Sequence, residues 1–140
     1  MPMRFFFYGT LVAGSGNAVA GRVHARLSAG VAARVSGRLY AIPDRQGWYP
    51  ALVGGEDAVR GYVYEALAGF GEADLAALDH WEGAEYRRAE IAVHQEDGRE
   101  ITAQAYLWDG PLPAAAEAIP GGDFADFLRL RGAKAFGEEG

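Results

Sequence analysis

No cysteine occurs among the 140 residues. That absence removes thiol nucleophiles, Cys-ligated zinc and disulfide bonds together, and it fits a reducing compartment. Histidine is scarce: His24, His80 and His94 are scattered without ligand spacing, so neither a metal site nor a cofactor is expected. No apolar run approaches the ~20 residues that a membrane helix needs. The N-terminus runs straight into Arg4-Phe5-Phe6-Phe7-Tyr8 with no longer apolar core and no small-residue cleavage site, so a cytoplasmic protein without a membrane partner is expected. Basic residues are outnumbered, Lys+Arg 13 against Asp+Glu 19 for a net charge of -6, which opposes the phosphate-neutralising surface of a nucleic-acid binder and favours small-molecule or protein partners.

What is present describes a globular chain. The composition is 50% hydrophobic and 12% aromatic, enough to bury one core without disulfides or metals, and one domain over residues 1–140 is expected. Residues 4–8 form a short aromatic run that stops at Gly9, read as a buried strand entering a glycine-rich loop over 9–16. Segments 31–41 and 59–66 are rich in β-branched and aromatic residues, each with one glycine, Gly37 and Gly61, where a strand bends or another group approaches closely. Residues 72–82 read as a helix from the spacing of Leu75, Leu78, Trp81 and Glu82, with Gly83 as its stop. Alternation over 86–95, an Asp97-Gly98 turn and a second run over 101–108 predict a hairpin. Phe124, Phe127, Leu128 and Arg131 fit a short helix near the C-terminus. The sum is an α+β fold whose mixed sheet closes towards a barrel.

Two places carry possible chemistry. The segment G-T-L-V-A-G-S-G over 9–16 has the glycine spacing of a P-loop but Ser15 and Gly16 where the motif needs Lys and Ser or Thr, so nothing reaches a terminal phosphate. It reads either as a plain turn or as a concavity of backbone N–H groups suited to a carboxylate. Glu82 lies on the helix face marked as buried by Leu75 and Leu78. Desolvation there raises a carboxyl pKa towards the range useful for acid–base work, whereas an ion pair with Arg87 or Arg88, or a position in solvent, would make it structural. Glu85 is the competing acid if the helix ends early. Asp79 and Glu82 do not suit glycoside hydrolysis, because carboxylates one turn apart on a helix rarely flank a substrate. Ser15, Ser28 and Ser36 lack a nucleophile-elbow context.

The motifs Phe7-Tyr8-Gly9-Thr10-Leu11, Gly37-Arg38-Leu39-Tyr40, Gly47-Trp48-Tyr49-Pro50-Ala51-Leu52, Val59-Arg60-Gly61-Tyr62-Val63-Tyr64-Glu65, Leu78-Asp79-His80-Trp81-Glu82-Gly83, Tyr86-Arg87-Arg88 and Ala105-Tyr106 follow one another in a set order. In that order the chain resembles the γ-glutamylcyclotransferase-like family, in particular its AIG2-like branch, over about residues 4–108. The resemblance implies a small mixed β-barrel flanked by short helices, with a pocket at its mouth. It implies that Tyr8, Gly9, Thr10 and Leu11 hold a γ-glutamyl moiety through backbone groups and that Glu82 is the catalytic carboxylate; Tyr49 and Tyr86 are further substrate-binding candidates, with Tyr49 and Tyr106 either orienting substrate or simply packing. The implied reaction is an intramolecular aminolysis that releases 5-oxoproline from a small γ-glutamyl substrate, with Glu82 accepting the ammonium proton and returning it to the leaving nitrogen. A non-catalytic module binding a small carboxylate on the same fold is the alternative.

Overall fold

The computed structural model describes residues 3–9, 18–45 and 47–133. Six strands and three short helices are formed by these residues: β1 (Arg4–Phe7), α1 (Ala18–His24), β2 (Val31–Asp44), β3 (Gly47–Glu65), α2 (Glu72–Glu82), β4 (Tyr86–Gln95), β5 (Glu100–Trp108), β6 (Glu117–Ala118) and α3 (Phe124–Arg131). The sheet order is β3-β1-β5-β4-β2-β6, and β2 also pairs with β3. Five strands therefore close on themselves, with β6 appended to β2. Only β1 and β5 run parallel, so the barrel is mixed.

Alternation along the strands divides the apolar side chains between two cores. On β1, Phe6 joins Leu39, Leu52, Val59 and Val93 inside the barrel, while Phe5 and Phe7 join Val23 of α1 and Leu78 of α2 outside it. The same division separates Val63 from Tyr64 on β3 and Ala105 from Tyr106 on β5. Phe5, Phe6, Leu39 and Leu78 are fully buried. The helix α3, capped by the Asp123 side chain, adds Phe124 to the inner core, and Phe127 packs its ring edge-on at 5.2 Å from Trp48.

The two predicted glycines mark different devices. At Gly37 the β2–β3 register shifts, Gly37 facing Asp57 and Arg38 facing Val53, and residues 54–56 bulge out of the ladder. A Cβ on Gly61 would lie 2.4 Å from the Phe7 carbonyl oxygen, so β1 and β3 approach as closely as they do only because no side chain is there. Gly61→Ala is expected to lower the unfolding free energy by about 1–3 kcal/mol in urea titration, since Phe7 must shift just where the chain enters the Tyr8-Gly9 segment.

Strand β3 is longer than the reading of 59–66, beginning at Gly47. Pro50, Gly54 and Gly55 disguise its first half, as they are residues that weaken a ladder. The two-residue β6 and the short α1, which contains Gly21, carry no pattern that predicts them. No described helix is long and apolar enough to cross a membrane.

Candidate active site

Glu82 is the last residue of α2, and the helix is fixed at both ends. At its start the Asp74 carboxylate accepts the Gly71 N–H at 2.9 Å and pairs with Arg26 at 2.6 Å. The Gly71 and Arg26 contacts hold that carboxyl below its usual range. At its end Gly83 takes φ +86°, a conformation open to glycine, and its N–H donates to the Asp79 carbonyl at 3.2 Å. Between these anchors Leu78 is fully buried and Leu75 packs beside it. The helical phase that buries Leu75 and Leu78 carries Glu82 into a pocket walled by Phe6, Phe7, Tyr8, Gly9, Pro50 and Tyr106. The pocket is narrow, with a cavity volume of about 20 Å³.

The carboxyl of Glu82 has no ion pair among the described residues. Arg88, one of the two arginines that could have neutralised it, donates from Nε to Asp79 at 3.0 Å and from Nη1 to Gln104 at 3.0 Å. Tyr8 and Tyr106 line the same pocket, Tyr86 lies near enough to feel the Glu82 charge, and each of the three phenols donates its proton elsewhere. Tyr8 donates to the Tyr106 carbonyl at 2.5 Å, Tyr86 to the Pro50 carbonyl at 2.5 Å, and Tyr106 to the Asp79 carboxylate at 2.7 Å. Burial, with no compensating cation, pushes the Glu82 carboxyl up from 4.5 to about 8. Burial pushes all three phenols up as well, and the Glu82 charge adds to the shift in each. The site therefore holds neutral tyrosines around a carboxyl poised to gain or lose a proton near neutrality.

Gly9 closes the pocket on the strand side. A Cβ there would fall 2.2 Å from Cγ of Pro50, so the backbone packs directly on the proline ring. Pro50 in turn is located by the Tyr86 hydroxyl on its carbonyl. Gly9 and Pro50 thus form one packed wall of the pocket that Glu82 also lines.

A second, wider cleft adjoins the first. It is lined by Asp79, His80, Gly83, Ala84, Tyr86, Arg88 and Tyr106, with a cavity volume of about 500 Å³ and a broad opening to solvent. Tyr106 borders both cavities.

The structure thus brings Glu82, Tyr8 and Gly9 together and sets Tyr86 beside them. Tyr49 lines neither cavity; its ring lies 6.3 Å from that of Trp108, which stands edge-on to Tyr86 at 5.3 Å. Thr10 and Leu11, and the rest of the glycine loop through Gly16, lie outside the described residues. Glu85 is exposed beyond the helix end. Pro50 as a pocket wall and Asp79 as the shared acceptor of Tyr106 and Arg88 were not predicted. Their partners are 27 and 36 residues away in the chain for Tyr106–Asp79 and Tyr86–Pro50, beyond any local spacing rule.

Comparison with solved structures places this architecture among known ones. YkqA from Bacillus subtilis superimposes with a TM-score of 0.71 at 24% identity over 94% of this chain, which spans 43% of that protein. An AIG2-like protein from Mus musculus gives 0.63 at 24% identity, covering 81% of this chain and 82% of its own. A protein described as a gamma-glutamyl cyclotransferase gives 0.63 at 20% identity, covering 100% and 92%. No curated protein matches the chain. A family model described as gamma-glutamyl cyclotransferase, AIG2-like, matches residues 5–126, and with the closed mixed barrel in place the chain belongs to that family.

Proposed function

We propose that the protein is a γ-glutamyl cyclotransferase that releases 5-oxoproline and a free amine from a γ-glutamyl amide, with Glu82 as its catalytic residue. The observation that carries this reading is the Glu82 carboxyl, without an ion pair among the described residues and with its pKa raised by burial, in one small pocket with Tyr8 and Gly9. The substrate's α-nitrogen attacks its own γ-carbonyl carbon, forming the ring C–N bond. Ionised Glu82 takes the proton that nitrogen sheds, and delivers it to the amide nitrogen as the original C–N bond breaks. One carboxyl serves as base and then acid, which asks for a pKa near the working pH. Both reacting centres belong to one molecule, so the protein's main task is to hold the folded conformer. Backbone groups of Tyr8, Gly9, Thr10 and Leu11 hold the glutamyl part, while Tyr86 shapes the approach and Tyr49 stands behind it through Trp108.

The reaction type is tested by mass spectrometry after incubation with γ-glutamyl amino acids and γ-glutamyl amines. Release of 5-oxoproline supports cyclotransfer. Release of glutamate indicates hydrolysis, and binding without product indicates a module that only holds the ligand.

The pH profile is a second expectation. Glu82 must be ionised to accept the proton, and burial sets its pKa near 8. Hence kcat/KM is expected to rise about tenfold per pH unit between pH 5 and 7 and to level off near 8. A profile already flat from pH 5 upward would mean that an ordinary carboxylate, or none, limits the reaction.

A further inference from the structure

We propose that the wider cleft is the subsite for the departing amine, and that Arg88 there reads a carboxylate on it, so that γ-glutamyl amino acids are preferred over γ-glutamyl alkylamines. The assignment rests on the cyclotransferase reading of Glu82 and deepens it. Arg88 is the only arginine or lysine among the described residues lining either cavity. Two of its five N–H groups are engaged, Nε by Asp79 and one hydrogen of Nη1 by Gln104, each at 3.0 Å. Those two bonds fix the guanidinium plane while Nη2 has no hydrogen-bond partner among the described residues. A guanidinium held in this way and bordering an open cleft is a preorganised donor for a carboxylate. On a protein of net charge -6 an anionic group has few such places to go.

Asp79, which holds Arg88, lies three residues before Glu82 on α2, an axial distance of ~4.5 Å. In a departing amino acid the carboxylate carbon is two bonds from the reacting nitrogen, ~2.5 Å away. The subsite requires that one molecule touch Glu82 through its nitrogen and Arg88 through its carboxylate, with a hydrogen bond of ~3 Å at each end. Arg88 also faces Tyr106 directly across the β4–β5 ladder, and Tyr106 borders both cavities, so the two subsites are joined at that residue. Neither the alkyl chain of a simple amine nor the ammonium of a polyamine satisfies the open side of the guanidinium.

The test is 5-oxoproline release from γ-glutamylalanine, γ-glutamylalaninamide and γ-glutamylethylamine by the full chain and by Arg88→Gln. Wild type is expected to favour γ-glutamylalanine over the other two by about ten- to hundredfold in kcat/KM, the range of a charge-assisted hydrogen bond. In Arg88→Gln that ratio is expected to fall to within about threefold. Equal use of all three substrates by the wild type overturns the subsite and leaves cyclotransfer standing. An equal loss on all three in the variant also overturns it, and assigns Arg88 to the glutamyl half or to the fold. Should Arg88→Gln fail to fold, the wild-type comparison of alanine with alaninamide decides, because the two differ in charge and hardly in size. No 5-oxoproline from any of them overturns both readings.

Discussion

Glu82→Gln is expected to make the protein more stable at neutral pH, by about 3 kcal/mol at pH 7. In the folded state the Glu82 carboxyl is pushed up from 4.5 to about 8, whereas in the unfolded chain it returns to its ordinary value. Between those two pH values the native state keeps a proton that the unfolded state has released. Stability linked to Glu82 is therefore fully present below pH 4.5 and is lost as pH rises towards 8, at about 1.4 kcal/mol per unit. Glutamine has the shape of the protonated acid and no proton to lose, so it removes this loss. Urea unfolding of both proteins from pH 4 to 9 reads the effect directly. The curves should converge in acid and separate through neutrality, and parallel curves would mean that Glu82 is solvated. A residue whose removal stabilises the fold is retained for something other than folding.

The hairpin of β4 and β5, the helix α2 and the short helix α3 were legible in the sequence because their determinants are local. Ile91 and Val93 alternate into the inner core, Leu75 and Leu78 share one helical face, and Gly83 and Asp123 supply helix ends. The first half of β3 was hidden, since Pro50, Gly54 and Gly55 break the pattern that a ladder leaves, and only pairing with residues 38–44 of β2 holds that segment extended. Glu82 was visible as a carboxylate on an apolar face, but its state was not. Whether an arginine neutralises it depends on contacts across the barrel, and Arg88 is held instead by Asp79 and Gln104. The resemblance of ordered motifs singled out Tyr8, Gly9 and Glu82 together, which residue spacing alone does not do. Tyr49 belongs to a motif as well, and its ring lies beside that of Trp108, outside the two cavities described above.

The same substitution that stabilises the protein is expected to remove its chemistry. Glutamine at position 82 fills the volume of the carboxyl and leaves the backbone around Tyr8 and Gly9 in place, so the glutamyl half can still bind. It cannot take a proton from the attacking nitrogen or hand one to the leaving nitrogen. General acid–base contributions of this kind are worth about 10²- to 10⁴-fold in rate, or about 3–5 kcal/mol of barrier. The loss should fall on kcat, with KM little changed, because the proton moves only as the ring closes. Conversely, a fall confined to KM would place Glu82 in ground-state binding.

The most direct measurement is kcat for 5-oxoproline release from one accepted γ-glutamyl amide by wild type and by folded Glu82→Gln at pH 8. A drop of at least a hundredfold with KM little changed is the expected result; a variant retaining more than a tenth of wild-type kcat would contradict the assignment of Glu82 as the proton-transferring group.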